Sequence, residues 1–303
     1  MRRPFTRFIG VDLGGGRGKT TAVAELRCGP AGAEVIEVAT RAGKALWTDD
    51  SLLARIPPVP GFVKVDPNDA WAIASAAANG GAAVPNTVIA IDAPLTQPAC
   101  GRCERPVCPG MEACAEPSVV WLRTEGRALV RGVGAQTVNG TARTQQQGAQ
   151  ARLAPYAHRA TDVIMTYERG LLPLSQLGAA NGTIAARAHQ LKKRLRGAGY
   201  VLHENLIEVS PAATVTALVG SRLGRNYKRD ADPWRTRALI LEQLDDLTVA
   251  PQSRMAREDV LGNDHCFDAL IAAYTAYLWA RDGWDAPDAT FADDGWIYAP
   301  PSR

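Results

Sequence analysis

The feature that most constrains the fold is the segment Phe8–Leu26, FIGVDLGGGRGKTTAVAEL. It predicts a strand over Phe8–Leu13, a turn over Gly14–Gly18 and a second strand over Lys19–Leu26. A five-residue connection rich in glycine is typical of an antiparallel hairpin rather than of the start of a helix. Asp12 lies near the end of the first strand, in an apolar run where an unpartnered buried carboxylate is costly. We therefore expect Asp12 to lie where the strand ends and a site opens.

A second apolar run also ends in an aspartate. Thr87–Asp92 (TVIAID) predicts a buried strand, and the residues that follow it, Ala93-Pro94, favour a turn. Between the two runs, the alternating segment Ala33–Thr40 predicts a third strand, and Pro67–Asn79 predicts a helix with Asp66 as its N-cap. Three strands, a helix and a further strand indicate a mixed sheet in an α/β layer.

Later segments predict mainly helices. The helical pattern of Asn263–Arg281 starts with Asn263 as N-cap and has one continuous apolar face. The other predicted elements are helices over Ala160–Tyr167, Thr183–Leu195 and Trp234–Leu244, and a strand over Asn205–Val209.

The aspartates at the strand ends predict a cation site. Parallel neighbouring strands bring their carboxyl ends to one edge of a sheet, where ligands bind. Strands lie about 4.8 Å apart, so Asp12 and Asp92 would be neighbours if their strands pair. Two like charges about 4 Å apart repel by about 4 kcal/mol at an effective dielectric constant of about 20. Asp264 and Asp268, spaced i,i+4 on one helix face, and Glu208, at a strand end, are further candidates. Such carboxylates suit Mg²⁺ or Mn²⁺, and two of these ions support phosphodiester cleavage.

Most of these acids also have a structural interpretation. Asp12 could cap the glycine turn, Asp92 could begin the turn at Ala93-Pro94, and Asp264 could favour the helix N-terminus through the helix dipole. Glu208 could equally be a structural acid at the end of its strand. Asp268 is harder to explain in this way, because it lies one turn inside an apolar helix.

Five segments together resemble a known family. They are GVDLGGG at the first strand, IDAPL at Asp92, HRATD at His158–Asp162, IEVSPAA at Glu208 and the late NDHCFDALIAAYTA. They resemble the predicted nucleases of domain-of-unknown-function family 429. The resemblance implies a ribonuclease H-like fold, a mixed sheet flanked by helices, with acids on the first strand, the fourth strand and the last helix. It places Asp12, Asp92 and either Asp264 or Asp268 there, and it matches Arg159 and Asp162 to a pair that we interpret as an internal ion pair.

The glycine turn Gly14–Thr20 (GGGRGKT) also invites a phosphate-binding interpretation. A Walker A loop would need glycine at Leu13, and a dinucleotide-binding fingerprint would need it at Lys19, so both motifs fail. The superfamily of sugar kinases, actin and heat-shock ATPases shares the fold core and uses a similar hairpin to hold phosphates. An ATP-binding phosphotransferase is therefore an alternative function, although no second glycine-rich hairpin or adenosine motif is visible.

Four of the six cysteines are clustered. They are separated by two, four and five residues and lie in a segment, residues 98–156, that shows no clear period and that we interpret as an insertion. Four thiolates within fifteen residues suit one tetrahedral Zn²⁺, which we prefer, or an iron–sulfur cluster. The four are Cys100, Cys103, Cys108 and Cys114; Cys28 and Cys266 are interpreted as unliganded.

Length and charge set the remaining expectations. The 303 residues are expected to form one domain, 1–303, with the insertion inside it. No secretory signal and no apolar run long enough for a membrane span is visible, which favours a cytoplasmic protein without a membrane partner.

Basic residues could line a path for DNA or RNA, which the sequence does not distinguish. A non-catalytic nucleic-acid-binding module is the third functional alternative. The basic residues are Lys192, Lys193, Arg194, Arg196, Arg222, Arg225, Lys228, Arg229, Arg235 and Arg237, with Arg123, Arg127 and Arg131 in the insertion.

Overall fold

The computed structural model describes residues 3–15, 20–60, 86–135, 153–170, 182–286, 288 and 290–301. The chain divides into two compact units. The first comprises Met1–Leu95, Thr183–Asp285 and Tyr298–Arg303, and the second comprises Thr96–Gly182 and Ala286–Ile297. The residues of the predicted insertion, 98–156, fall in the second unit.

The main sheet is mixed and has seven strands. Their order is β8-β3-β2-β1-β6-β7-β9, and β4 and β5 form a separate two-stranded sheet. β1 pairs antiparallel with β2 and parallel with β6, which in turn pairs parallel with β7. The strands are β1 (Arg7–Asp12), β2 (Ala22–Gly29), β3 (Gly32–Ala39), β4 (Arg41–Ala42), β5 (Ala45–Leu46), β6 (Thr87–Asp92), β7 (Leu206–Val209), β8 (Leu247–Val249) and β9 (Ile297–Tyr298).

Helices occur in both units. The described helices are α1 (Asp49–Arg55), α2 (Pro117–Trp121), α3 (Arg127–Ala135), α4 (Ala160–Tyr167), α5 (Gly182–Arg196), α6 (Pro211–Val219), α7 (Ser221–Asn226), α8 (Pro233–Leu241), α9 (Arg257–Gly262), α10 (Asp264–Asp282) and α11 (Thr290–Asp294). No described helix combines the length and the apolar character needed to cross a lipid bilayer.

The predicted mixed sheet is confirmed, including its opening hairpin. β1 and β2 pair antiparallel, with Asp12 opposite Ala22, as the glycine-rich connection predicts. The strand predicted over Thr87–Asp92 matches β6, and α4 matches its predicted range. The predicted helix Pro67–Asn79 and its N-cap Asp66 lie outside the described residues, as do Gly16–Lys19 of the glycine turn.

The sheet carries helices on both faces. Ile9 and Val11 of β1 belong to an apolar cluster that includes Leu191 and Leu195 of α5. Because side chains alternate along a strand, Phe8, Gly10 and Asp12 point to the opposite face. The long helix α10 packs against β1, β2 and β6. Asp12 therefore lies on the face of β1 that α10 covers.

Helix α10 has clear ends and is almost completely buried. The Asn263 side chain accepts hydrogen bonds from the amide groups of His265 and Cys266 at 3.0 and 3.4 Å, which confirms it as the N-cap. Gly283, in the left-handed region with φ 77°, caps the other end. All residues from Cys266 to Ala280 are buried, so the helix is apolar around its whole circumference except at Asp268 and Thr275.

Glycine and alanine allow α10 to lie unusually close to β1. A Cβ atom added to Gly10 would lie 2.1 Å from the carbonyl oxygen of Ala269 and 2.3 Å from the amide nitrogen of Ala273. No side chain larger than hydrogen fits there without moving the helix backbone. Gly10 thus sets the distance between the strand and the helix.

Several short elements differ from the sequence expectation. Within residues 98–156, which show no clear period, the structure has α2, a π-helical turn over Leu122–Gly126 and α3. The elements α1, α6, α7 and β8 were not predicted, because each is shorter than about three helical turns or one ordinary strand and carries little periodic signal. Helix α8 ends at Leu241, three residues before the predicted end.

The second unit contains a buried ion pair. Arg159 Nη2 lies 2.7 Å from Asp162 Oδ1, and the Arg159 backbone amide donates to Asp162 Oδ2 at 3.1 Å. Arg159 Nη1 also donates to Thr96 Oγ1 at 2.8 Å. Arg159 is 1% exposed, which confirms the prediction of an internal ion pair at the start of α4.

Candidate functional site

Three aspartates of the first unit converge. Asp12 and Asp92 end the parallel strands β1 and β6 and lie directly opposite each other in the register. Asp268 reaches the same place from α10. One carboxylate oxygen of each residue lies within 4.8 Å of the other two. Among the described histidines, cysteines and acids, no other three side chains bring ligand atoms this close together.

The convergence follows from the local packing. Asp268 immediately precedes Ala269, whose carbonyl oxygen lies against Gly10. Gly10 and Asp12 share one face of β1 because they are two residues apart. The close approach of the helix at Gly10 therefore brings Asp268 to the end of the strand where Asp12 and Asp92 lie.

Both oxygens of Asp268 have protein partners. The Tyr227 hydroxyl donates to Oδ1 at 2.7 Å, and the Lys228 ammonium group forms an ion pair with Oδ2. Tyr227 and Lys228 directly follow α7. No local sequence signal indicates this contact, because Lys228 stands in a basic segment and meets Asp268 only through the tertiary fold.

His265 forms a second polar contact with the cluster. Its Nδ1 atom lies 2.5 Å from Asp12 Oδ2, and its side chain is 41% exposed. His265 precedes Asp268 by three residues on α10, so the two share a helix face. That spacing was visible in the sequence, although the prediction did not use it.

Burial and mutual repulsion perturb the acids. Burial, followed by the charges of Asp12 and Asp268, raises the pKa of Asp92 well above its ordinary value. Burial raises the pKa of Asp268 to about 6, although the nearby Lys228 opposes the shift. The hydrogen bond to Asp12 raises the pKa of His265. Two of the three carboxyl groups thus hold their protons more tightly than an exposed aspartate does.

Lys228 compensates only part of the negative charge. Burial alone would lower the pKa of Lys228, but Asp268 and Asp92 outweigh that effect and raise it, so the side chain stays protonated. When the three carboxyl groups are ionised and His265 is neutral, the ammonium group of Lys228 leaves two negative charges uncompensated. A divalent cation has the charge that would balance the remainder.

Asp264 and Glu208, the other two predicted acids, lie outside the group of three. Asp264 is the first residue of α10, where the helix dipole favours a negative charge. Glu208 lies opposite Ile91 in the pairing of β6 with β7, and its Oε2 atom accepts a hydrogen bond from the Leu95 amide at 2.8 Å. Glu208 therefore holds the segment that follows Asp92.

The four clustered cysteines lie together in the second unit. They line one cavity of about 270 Å³. Cys100, Cys103 and Cys108 are exposed and Cys114 is half-buried. No three of their sulfur atoms come within 4.8 Å of one another. Outside the cavity, Cys28 is exposed and Cys266 is buried.

The predicted basic residues have different surroundings. Arg237 is buried and donates to the carbonyl oxygen of Leu261, and Arg194 pairs with Asp50. Arginines that lie exposed on either side of Lys228 are Arg222, Arg229 and Arg235. The basic segment therefore supplies one ammonium group to the acidic cluster, and three arginines close to Lys228 in the sequence are exposed.

Comparison with known proteins shows which family the chain belongs to. The family model described as "Protein of unknown function (DUF429)" matches residues 10–290. No curated protein and no solved structure matches the chain. The family match covers most of the 303 residues, including Asp12, Asp92, Asp268 and the cysteines, and its description names no activity. The chain therefore belongs to the DUF429 family.

Proposed function

We propose that this protein is a divalent-metal-dependent nuclease that hydrolyses phosphodiester bonds in nucleic acid. The observation that carries the proposal is the convergence of Asp12, Asp92 and Asp268 at the carboxyl ends of two paired parallel strands. Carboxylate oxygens are the ligands that Mg²⁺ and Mn²⁺ prefer in proteins. A group of three acids this close together has no comparable stabilising role in a fold, since each additional negative charge repels the others.

The topology supports a ribonuclease H-like fold for this nuclease. The family resemblance implies acids on the first strand, the fourth strand and the last helix. In chain order, β6 is the fourth strand of the seven-stranded sheet, and it ends in Asp92. Asp268 lies on α10, the last helix of the first unit. The positions of the acids agree with this arrangement and favour Asp268 over Asp264.

The residues of the site fit a divalent cation in charge and in access. Asp12 and Asp92 are partly accessible, whereas Asp268 is 1% exposed and is fixed by Tyr227 and Lys228. A cation could therefore approach the two strand carboxylates from solvent. When bound, such ions would activate a water molecule and stabilise the leaving oxygen of a phosphodiester.

The protein's own groups would orient and balance this chemistry. Asp12 and Asp92 offer oxygen ligands, and Lys228 keeps the buried Asp268 ionised by pairing with it. Protonated His265 holds its Nδ1–H against Asp12 and exposes the rest of its ring at the edge of the site. It can hold a proton near neutral pH, because Asp12 raises its pKa.

Exposed arginines close to Lys228 in the sequence favour a nucleic acid as substrate. Arg222, Arg229 and Arg235 lie on either side of Lys228, whose side chain enters the acidic cluster. Phosphate groups bind arginine through charge-assisted hydrogen bonds, and such contacts position a nucleic-acid backbone without reading its sequence. The exposed arginines of this segment could therefore bind the phosphates of a nucleic-acid backbone.

The experiment is a cleavage assay with labelled single-stranded, duplex and branched DNA and RNA in Mg²⁺ or Mn²⁺. Wild-type protein is compared with Asp92→Asn and with Asp245→Asn, which makes the same change at an exposed acid outside the site. We expect Asp92→Asn to lose activity by at least about a hundredfold, because several kcal/mol of charge stabilisation depend on the ions. Asp245→Asn should cut like the wild type.

Two outcomes would contradict the proposal. Equal cleavage by all three proteins would assign the activity to a contaminant or to another site. Absence of cleavage on every substrate by folded protein would favour the two alternatives: an ATP-binding phosphotransferase, tested by a thermal shift with ATP and Mg²⁺, or a non-catalytic nucleic-acid-binding module.

A further inference from the structure

The four-cysteine cavity of the second unit has the features of a built ligand site. Cys100, Cys103, Cys108 and Cys114 all line it, although thirteen residues separate the first from the last and no regular element longer than one turn connects them. Four thiols from an irregular segment do not converge on one cavity for apolar packing, because most of them are exposed.

The cysteine segment is held by its own set of contacts. Arg123 Nη1 donates to the carbonyl oxygens of Met111 and Cys114 at 3.0 and 2.6 Å, and Arg127 pairs with Glu112. Arg102 Nη1 donates to Glu116 Oε1 at 2.8 Å. These contacts hold the segment in place, and Arg102 and Glu116 line the cavity together with the four cysteines.

The separation of the sulfur atoms decides between two kinds of metal centre. A single tetrahedral Zn²⁺ with Zn–S bonds of about 2.3 Å holds its four sulfur atoms about 3.8 Å apart. Here no three of the four sulfur atoms lie within 4.8 Å of one another. A cluster of several iron atoms holds its thiolates further apart, because they bind different metal atoms.

We infer that Cys100, Cys103, Cys108 and Cys114 bind an iron–sulfur cluster in the second unit. Each thiol loses its proton to solvent and forms one sulfur–iron bond to an assembled cluster, so the binding step transfers no electron. The cluster stabilises a segment whose exposed thiols form no apolar core of their own. This site shares no residue with the carboxylate site, so the inference stands independently of the nuclease proposal.

The test is metal analysis of full-length protein purified without oxygen from iron-supplied cells. We expect iron and acid-labile sulfide in equal amounts, and a visible absorption band that dithionite bleaches. Mössbauer spectra of the same wild-type sample should show that every iron atom of the cluster is bound by thiolate. This measurement tests the ligands without a variant. One zinc per chain without iron would overturn the cluster. Metal-free protein in which Cys100, Cys103, Cys108 and Cys114 all react with a thiol reagent without denaturant would overturn any metal centre here.

A pair of variants assigns the ligands. Cys103→Ser should lower the iron content at least about fivefold, whereas Cys28→Ser, at an exposed cysteine of β2, should leave it unchanged. Circular dichroism and gel filtration of both proteins establish whether Cys103→Ser is folded. Asp92→Asn should keep its full iron content. Unchanged iron in folded Cys103→Ser, or equal losses in both cysteine variants, would contradict the assignment.

Discussion

Lys228 is the residue whose role depends most on the charge of the candidate site. Its ammonium group pairs with Asp268 and is also attracted by Asp92 and Asp12, which raise its pKa. An ammonium group in this position stabilises the carboxylates and at the same time repels any cation that binds between them. The stability of the site and its affinity for cations therefore respond to Lys228 in opposite directions.

Replacement of Lys228 by glutamine should tighten the binding of Mn²⁺. At about pH 8 the carboxyl groups are ionised, and removing one positive charge should lower the dissociation constant for Mn²⁺ by about tenfold, or about 1.4 kcal/mol. The effect is this modest because solvent screens most of the repulsion between the ammonium group and the cation. Isothermal titration calorimetry measures it. Lys193→Gln, at an exposed residue of α5, makes the same charge change and should bind Mn²⁺ like the wild type. Weaker binding by Lys228→Gln would instead mean that Lys228 mainly positions Asp268.

Among individual residues, the sequence predicts the three converging aspartates better than the residues that contact them. Asp12 and Asp92 could be found because an acid at the end of a buried strand is unusual. Asp268 could be found because it interrupts an apolar helix. Tyr227 and Lys228 could not, since nothing near them in the sequence indicates that the segment after α7 folds back onto α10.

At the scale of elements, the contact between β1 and α10 determines the geometry of the site. Gly10 lies against the backbone of Ala269 and Ala273, and Asp268 is the next residue toward the N-terminus of the helix. A shift of the helix away from the strand would carry Asp268 away from Asp12 and Asp92. The distance between the carboxylates is thus a consequence of one glycine in a strand.

The variant Gly10→Ala should therefore affect both stability and metal binding. The added methyl group overlaps backbone atoms, so we expect a loss of about 1–3 kcal/mol in the free energy of unfolding. We also expect at least about tenfold weaker Mn²⁺ binding, because the helix must move. Denaturant unfolding and calorimetry measure the two effects. Gly132→Ala serves as control, because Gly132 is an exposed glycine of α3 with nothing within 4 Å of an added Cβ. A Gly10→Ala protein that behaves like this control would show that the helix position is not set at Gly10.

Element lengths explain which parts of the fold the sequence predicts. The hairpin of β1 and β2, the strand β6 and the helix α10 each have a long apolar pattern or a defined cap. Helix α6 also has a cap, at Ser210, but α6 and α7 are short and have neither a long apolar pattern nor a polar face that repeats, so tertiary packing stabilises them more than propensity does. Asp12 lies opposite Asp92 only because β1 pairs with β6 in this register. The sequence is compatible with that pairing but does not determine it.

At the scale of the whole molecule, the chain carries two sets of ligand atoms of different chemical character. The first unit offers carboxylate oxygens, which suit hard cations, and the second offers thiol sulfurs, which suit softer metals. The two sets should therefore respond to different treatments. Dialysis against a weak chelator should empty the carboxylate site and leave a thiolate-bound cluster in place.

The charge of the carboxylate site should make the free energy of unfolding fall as the pH rises. In the unfolded chain an aspartate titrates near pH 4. Burial raises the pKa of Asp268 to about 6 in the folded chain and also raises that of Asp92. Between these values the folded chain binds more protons than the unfolded chain, so the free energy of unfolding falls as the pH rises. His265, whose pKa Asp12 raises, has the same sign, because its contribution is lost as the pH rises through that pKa.

We therefore expect protein dialysed free of divalent cations to melt at a lower temperature at about pH 8 than at about pH 5. The difference should be of the order of 2 kcal/mol, or several degrees. Asp92→Asn should flatten this dependence, because it removes one charge that repels the other two. Millimolar Mg²⁺ should restore the wild type at about pH 8 and leave Asp92→Asn nearly unchanged, since a cation stabilises the ionised carboxylates only where all three are present. Scanning calorimetry at both pH values, with Asp245→Asn as the control, measures these shifts. A wild-type stability that rises with pH over this range would mean that the three carboxyl groups are not mutually destabilising, and the electrostatic argument for a cation between them would fail.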